Sequence, residues 1–304
     1  MSAQNTALAF RPMRRDEVDL LVDWAAREGW NPGLHDAGLF WATDPDAFMA
    51  AEVDGELIGG GAITAYGDGF GFMGFFIVRP EHRGKGLGDA LWHARRDRLL
   101  GRLRPGATIG MDGVFTMQPY YASGGFVFSH RNLRFRCEVP AGASGHCTLT
   151  GPATDAPLAN NESIVPLAQV PLDALCTYDR TCFPAERVGF LKGWIAQPDA
   201  LALGCVRDGT LLGYGVIRRC REGCKVGPLF ADDARVAASL FDALAAFGAG
   251  GAVYLDAPEN NSNAMALVRA RGMTEVFGCA RMYLGPVPAI RHARVFGVTT
   301  FELG

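Results

Sequence analysis

The segment Phe75–Leu91, FFIVRPEHRGKGLGDAL, constrains this chain's architecture more than any other stretch. An apolar, β-favouring run, Phe75-Phe76-Ile77-Val78, stops at Arg79-Pro80. A glycine-rich turn follows, Arg83-Gly84-Lys85-Gly86-Leu87-Gly88. Helical spacing then begins, with Leu87, Ala90, Leu91 and Ala94 at i, i+3, i+4 and i+7. Strand, glycine loop and helix start, in that order, form a phosphate cradle. Glycines let a ligand approach the backbone. The first-turn amides have no partner within the helix, and the helix dipole favours an anion there. Arg83 and Lys85 add full positive charges, each worth roughly 1.5–3 kcal/mol when hydrogen-bonded to an ion.

Spacing separates the known cradles. A Walker loop needs G-x-x-x-x-G-K-[ST], but Asp89-Ala90 follows Gly88. A dinucleotide fingerprint needs G-x-G-x-x-G, but the third glycine comes one residue early and a basic residue stands inside the turn. The motif R-G-x-G-x-G after V-x-P resembles the acyl-CoA pyrophosphate loop of the GNAT N-acetyltransferase superfamily, [QR]-x-x-G-x-[GA]. Arg83, Gly86 and Gly88 occupy its fixed positions. The resemblance implies that Arg83, Gly84, Lys85, Gly86, Leu87, Gly88 and Asp89 hold the pyrophosphate of acetyl-CoA. Phe76, Ile77 and Val78 would pair with its pantetheine arm as an added strand.

Two halves of the 304-residue chain repeat each other. Val53-Asp54-Gly55 to Ile63 has its counterpart in Asp208-Gly209 to Ile217, and both have the form of hairpins with an Asp-Gly turn. Gly125-Phe126 with Arg134-Phe135 matches Gly272-Met273 with Arg281-Met282, and Val78-x-Pro80 is matched to Val226-x-Pro228. The expected fold is α/β, a mixed sheet with flanking helices, as two tandem GNAT folds. The expected domains are residues 1–139, a Pro/Gly/Ser-rich linker at 140–162, and a second domain at 163–285. The tail, 286–304, carries an apolar run, Val295–Val298, suited to adding a strand or docking across domains.

Composition narrows the partners. Net charge is −3 and no basic block stands out, so nucleic acid is not expected. There is no run of 18 apolar residues, so no membrane span is expected, and the N-terminus lacks the apolar core of a signal peptide. The eight cysteines lack zinc spacing; reduced thiols in a cytoplasmic protein are expected, with no metal. The assembly is expected to be a monomer or a homodimer.

Acetyl transfer to an amine needs a held thioester, a polarised carbonyl, a proton for the leaving thiolate and a neutral nucleophile. In GNAT enzymes the proton often comes from a tyrosine four residues before the Gly-Phe of the last hairpin, which here is Tyr121. Its ordinary pKa of about 10 keeps the phenol protonated at neutral pH, so it has a proton to give. A core aromatic is the plainer alternative. Glu28, Asp36 and Asp112 are candidate bases. The segment Glu28-Gly29-Trp30-Asn31-Pro32-Gly33 lies where GNAT chains line the acceptor site, and with Asp112-Gly113-Val114 and Gln118 it is similar to one tandem-GNAT group. Trp30, Asn31, Asp36 and Gln118 are the expected acceptor contacts.

The second half lacks the chemistry. Counting from Pro228, Ala231 stands in for Arg83, and Asp232, Ala234 and Val236 for the glycines; Val268 falls at the tyrosine position. The expected activity is acetyl-CoA-dependent N-acetylation of a small primary amine at one site in the first half. The alternative is a non-catalytic acyl-CoA sensor.

Overall fold

The Asp-Gly pairs close tight turns in both halves. Asp54 and Gly55 have φ of 52° and 82°, and Asp208 and Gly209 have 48° and 77°. Two successive left-handed residues match the twist of a hairpin. The computed structural model describes residues 8–142, 158–159 and 161–304. Of the expected linker, residues 143–157 and 160 lie outside the described residues.

The first half runs β1 (Leu8–Pro12), α1 (Arg15–Arg27), α2 (Asp36–Thr43), β2 (Phe48–Val53), β3 (Glu56–Tyr66), β4 (Phe70–Val78), α3 (Leu87–Leu100), β5 (Thr108–Val114), α4 (Gln118–Ser123) and β6 (Val127–Val139). The second repeats it with β7 (Glu162–Pro166), α5 (Leu172–Asp179), α6 (Val188–Ile195), β8 (Ala200–Arg207), β9 (Thr210–Arg219), β10 (Cys224–Ala231), α7 (Ala234–Ala245), β11 (Gly251–Pro258), α8 (Ser262–Ala270) and β12 (Thr274–Leu284). A short β13 (Val295–Gly297) follows. The sequence pattern does not single out α2, α5 or α6, because each is only 8 residues long and leaves the helical period little room to repeat.

All thirteen strands join one sheet, ordered β1-β2-β3-β4-β5-β12-β6-β11-β10-β9-β8-β7, with β13 on β10. The order is symmetric about the β12–β6 pair. Each half gives its last strand to the other: β12 lies antiparallel between β5 and β6, and β6 between β12 and β11. Two ion pairs repeat across the exchange. Arg134 on β6 meets Asp256 on β11 at 2.6 Å, and Arg281 on β12 meets Asp112 on β5 at 2.6 Å. Pairing of this kind offsets the cost of taking each charge out of water.

In the first half, β4 and β5 pair in parallel from Phe70 and Thr108 to Met73 and Met111, then part. The divergence begins at a bulge. The β3–β4 register shifts between Ala62↔Gly74 and Gly60↔Ile77, and Phe75 adopts φ 44°. In the second half, β10 and β11 likewise part after Val226 and Leu255. There the gap is occupied. β13 pairs antiparallel with β10, and Val298 N donates to Asp256 O on β11 at 2.8 Å. The apolar tail run thus adds a strand where the first half has an opening.

The register corrects one match between the halves. The second bulge falls between Val226 and Leu229, so Pro228 lies inside it, in the place of Phe75-Phe76 and not of Pro80. Ala231 faces Gly213 as Val78 faces Gly59, so Ala231 corresponds to a strand end and not to Arg83. Eight residues, 79–86, separate β4 from α3, whereas only Asp232 and Asp233 separate β10 from α7. The phosphate loop is therefore shortened away, not substituted. Asp233 caps α7, accepting from Val236 N at 2.8 Å.

Candidate active site

The parting of β4 and β5 opens a cavity of about 480 Å³. Met73–Val78 and Met111–Val114 form its two strand walls. The end at the glycine loop is built from Arg83, Gly84, Gly88 and Asp89. Gly84 and Gly86 take φ of 72° and 78°, a conformation that L side chains resist, and this turns the chain sharply into α3. Gly86 caps that helix with no side-chain bond, leaving the first-turn amides open to a ligand. Of the residues expected to hold acetyl-CoA, Phe76, Ile77, Val78, Arg83, Gly84, Gly88 and Asp89 line the cavity, while Lys85, Gly86 and Leu87 flank it. Arg83 donates to Val78 O at 2.7 Å and to Glu28 at 2.5 Å. The Lys85 amine donates to Glu81 O at 2.8 Å.

Tyr121 lies at the inner end, 4% exposed. Gly113 makes room for its ring: a Cβ there would stand 2.4 Å from Tyr121 Cε2. Among the described residues the hydroxyl has no hydrogen-bond partner, whereas Tyr120 donates to Asp89 at 2.6 Å. Burial pushes the Tyr121 hydroxyl up to about 12, and the nearby Arg95 cation pulls the other way. The group is therefore a phenol, not a phenolate, at neutral pH.

Arg95, on α3, is a residue that periodicity did not single out. It is 1% exposed and donates to Ala62 O at 2.6 Å and Gly74 O at 2.5 Å. Ala62 and Gly74 are the ladder pair next to the bulge, and the guanidinium ties their two carbonyls together there. Burial without a carboxylate pulls Arg95 down to about 10.

The candidate bases and acceptor contacts divide sharply. Glu28 and Trp30 line the cavity. Asp112 also lines it, but Arg281 takes both its oxygens, at 2.9 and 2.6 Å, and Asn132 donates to Oδ1 at 2.8 Å. Asp36 does not reach the cavity. It is fully buried, accepts from Arg218 at 2.9 and 3.1 Å, and binds Gly33 N at 2.7 Å. Burial alone would raise its carboxyl, but Arg218 outweighs that and holds it below the usual range. Its charged partner, Arg218, lies in the other half, which no local pattern shows. Asn31, also outside the lining, has φ 50° and ties two of its side-chain atoms to the Glu222 backbone at 2.9 Å. Gln118 opens α4 and is likewise outside the lining.

The rest of the lining comes from the second half and the tail: Phe277 and Cys279 on β12, then Phe301 and Glu302. Arg134 gathers this part, with its guanidinium 4.9 Å from the Phe301 ring, 5.5 Å from Phe277, and donating to Trp30 O at 2.6 Å. Glu302 is the sole acid in the apolar run from Val295 to Leu303, a signal that was available in the sequence. Among the described residues no group of His, Cys, Asp or Glu is placed to hold a metal, and no helix is long and apolar enough to cross a membrane.

Comparison with known proteins agrees with this geometry. A model of the acetyltransferase (GNAT) family matches residues 15–110, and one of the acetyltransferase (GNAT) domain matches 175–297. The holothin acyltransferase of Pseudoalteromonas sp. is 25% identical over 97% of this chain and 94% of its own length. An acetyltransferase of Photorhabdus laumondii is 31% identical over 31% of this chain and 68% of its own. A Pyrococcus horikoshii protein shares the fold with a TM-score of 0.79 at 19% identity, covering 100% of this chain and 99% of its own. A tandem GNAT protein from the clavulanic acid biosynthesis pathway superposes with a TM-score of 0.62 at 17% identity, over 92% of this chain and 100% of its own. With both halves matched and the tandem fold shared, the chain belongs to the GNAT acetyltransferases and carries two GNAT folds in tandem.

Proposed function

We propose that the chain transfers an acetyl group from acetyl-CoA directly to a primary amine of a small molecule, at one site. The observation that carries this reading is the contrast between the two strand openings. The first is an empty cleft that has a glycine loop at one end and a tyrosine hydroxyl at the other. The second has no loop and is filled by β13. In the first, the freed backbone of β4 offers a thioester arm strand-like bonds. Arg83 and the α3 amides take the pyrophosphate. Tyr121 gives its proton to the departing thiolate sulfur, and Arg95 stabilises the phenolate that remains. Burial holds the Cys279 thiol well above its usual range, which makes it a poor nucleophile and supports direct transfer over an acyl-cysteine. The relative named for acylating holothin, similar along almost its whole length, supports a small-molecule acceptor.

The test is a titration followed by a turnover screen. Calorimetry is expected to give one acetyl-CoA per chain, and thiol release is expected with at least one member of a panel of amino acids, polyamines, aminosugars and amine-bearing heterocycles. Two acetyl-CoA molecules per chain would refute the single site. Tight binding with no thiol release on any amine would favour an acyl-CoA sensor.

A further inference from the structure

Amine acetylation needs a group to take a proton from nitrogen. Four acidic residues line the cavity: Glu28, Asp89, Asp112 and Glu302. Glu28 is bound by Arg83, Asp89 by the Tyr120 hydroxyl, and Asp112 by Arg281 and Asn132. Glu302 is 3% exposed, and among the described residues its carboxylate has neither a hydrogen-bond nor an ion-pair partner. A buried carboxylate without a partner is costly and is retained where it has work to do.

Its position is fixed by the backbone. A Cβ on Gly74 would come within 1.8 Å of the Glu302 carbonyl oxygen, so only glycine lets the tail lie against β4 where β4 and β5 part. Phe301, Phe277 and Trp30 surround the same end. Aromatic faces beside a carboxylate suit an amine in either protonation state.

We infer that Glu302, delivered into the first half's cavity by the C-terminal segment, accepts the proton that the acceptor nitrogen loses as it attacks the thioester. The inference rests on the amine-acetylation reading above. The balance is complete. The neutral amine forms the C–N bond and its N–H proton passes to Glu302. The C–S bond breaks and the sulfur takes the Tyr121 proton. Glu302 then releases its proton to solvent, and Tyr121 is reprotonated from solvent.

The titratable and charged groups around Glu302 are Lys225 on β10, Asp36 on α2, Arg134 on β6, Arg218 on β9 and the Cys279 thiol on β12. Burial raises its carboxyl above the ordinary range; Asp36 adds to this, while Lys225, Arg134 and Arg218 oppose it. A base must be ionised, so kcat falls as pH drops through this raised value.

The experiment compares wild type, Glu302→Gln and Glu302→Asp for kcat against pH, acetyl-CoA Kd and thermal midpoint, using an amine that the wild type acetylates. Glu302→Gln is expected to lower kcat by about 10²–10⁴-fold and abolish the acid limb, with Kd unchanged. Glu302→Asp is expected to keep an acid limb at a shifted pH. Wild-type kcat in Glu302→Gln, or a lowered kcat with the acid limb intact, overturns the inference and leaves amine acetylation standing. If Glu302→Gln does not fold, an unshifted acid limb in Glu302→Asp overturns it. A wild type that binds acetyl-CoA yet acetylates no amine overturns the reading and the inference together.

Discussion

Arg281 grips both oxygens of Asp112, Nε to Oδ1 at 2.9 Å and Nη2 to Oδ2 at 2.6 Å, binding the second half's last strand to the first half's cavity wall. Arg281 is 8% exposed and Asp112 only partly buried as a residue, but its carboxylate is out of solvent. Arg281→Met strands that carboxylate and is expected to lower the unfolding free energy by about 3–5 kcal/mol in urea titrations. Adding Asp112→Leu is expected to restore most of the loss. A drop of under about 1 kcal/mol for the single variant would contradict the pairing's structural role.

At the glycine loop, Arg83 is half-exposed and shared between Glu28 and the Val78 carbonyl. Arg83→Ala is expected to raise the acetyl-CoA Kd by about 10–100-fold, the worth of one or two charge-assisted bonds. Glu28→Gln frees the guanidinium and is expected to tighten binding by no more than about 5-fold, since an exposed ion pair is worth about 0–1 kcal/mol. Calorimetry at low and high salt checks both. A large fall in kcat for Glu28→Gln with unchanged Kd would instead make Glu28 the base.

Tyr121 must be protonated to act as an acid. Because burial pushes it up to about 12, its proton is lost only as pH rises toward that value. No alkaline fall in kcat from this group is therefore expected between pH 7 and about 10. Tyr121→Phe is expected to lower kcat by about 10²–10⁴-fold with acetyl-CoA Kd nearly unchanged. Stopped assays of thiol release across that range measure both, and unchanged turnover in Tyr121→Phe would remove it as the acid.

The bulge in β4 leans on Arg95. Arg95→Met removes the guanidinium's bonds to the Ala62 and Gly74 carbonyls, each worth about 1.5–3 kcal/mol as a charge-assisted bond. The expected result is a less stable protein whose acetyl-CoA affinity also falls, because the bulge shapes the cleft. Arg95→Lys, which retains a donor, is expected to recover part of the stability but not all of it. Equal affinity in Arg95→Met would show that the cleft holds its shape without the guanidinium.

The sequence made the loop, Tyr121 and most strands legible because each is a local pattern: glycines at fixed spacing, a tyrosine before Gly-Phe, alternation between turns. The exchange of β6 and β12 was hidden, since nothing local tells a strand which of two similar neighbours to pair with. The duplicated arginines, Arg134 and Arg281, marked the repeat without revealing that each one's aspartate lies in the other half. Matching Pro80 to Pro228 failed because a bulge shifts register without altering composition. Asp36 resembled a loop acid, and only the fold brings Arg218 to it. Arg95 and Glu302 do not stand out in the sequence because lone charges usually face water, and their burial depends on contacts distant in sequence.

The traded strands bear on how such a chain can change over generations. A duplicate that has shed its binding loop would ordinarily be free to erode or be deleted. Here deletion would take β12 from beside β5, and with it Phe277 and Cys279 from the cavity wall. The second half can therefore change in chemistry but not in register, and selection on the first half's cavity reaches it through hydrogen-bond pairing and packing.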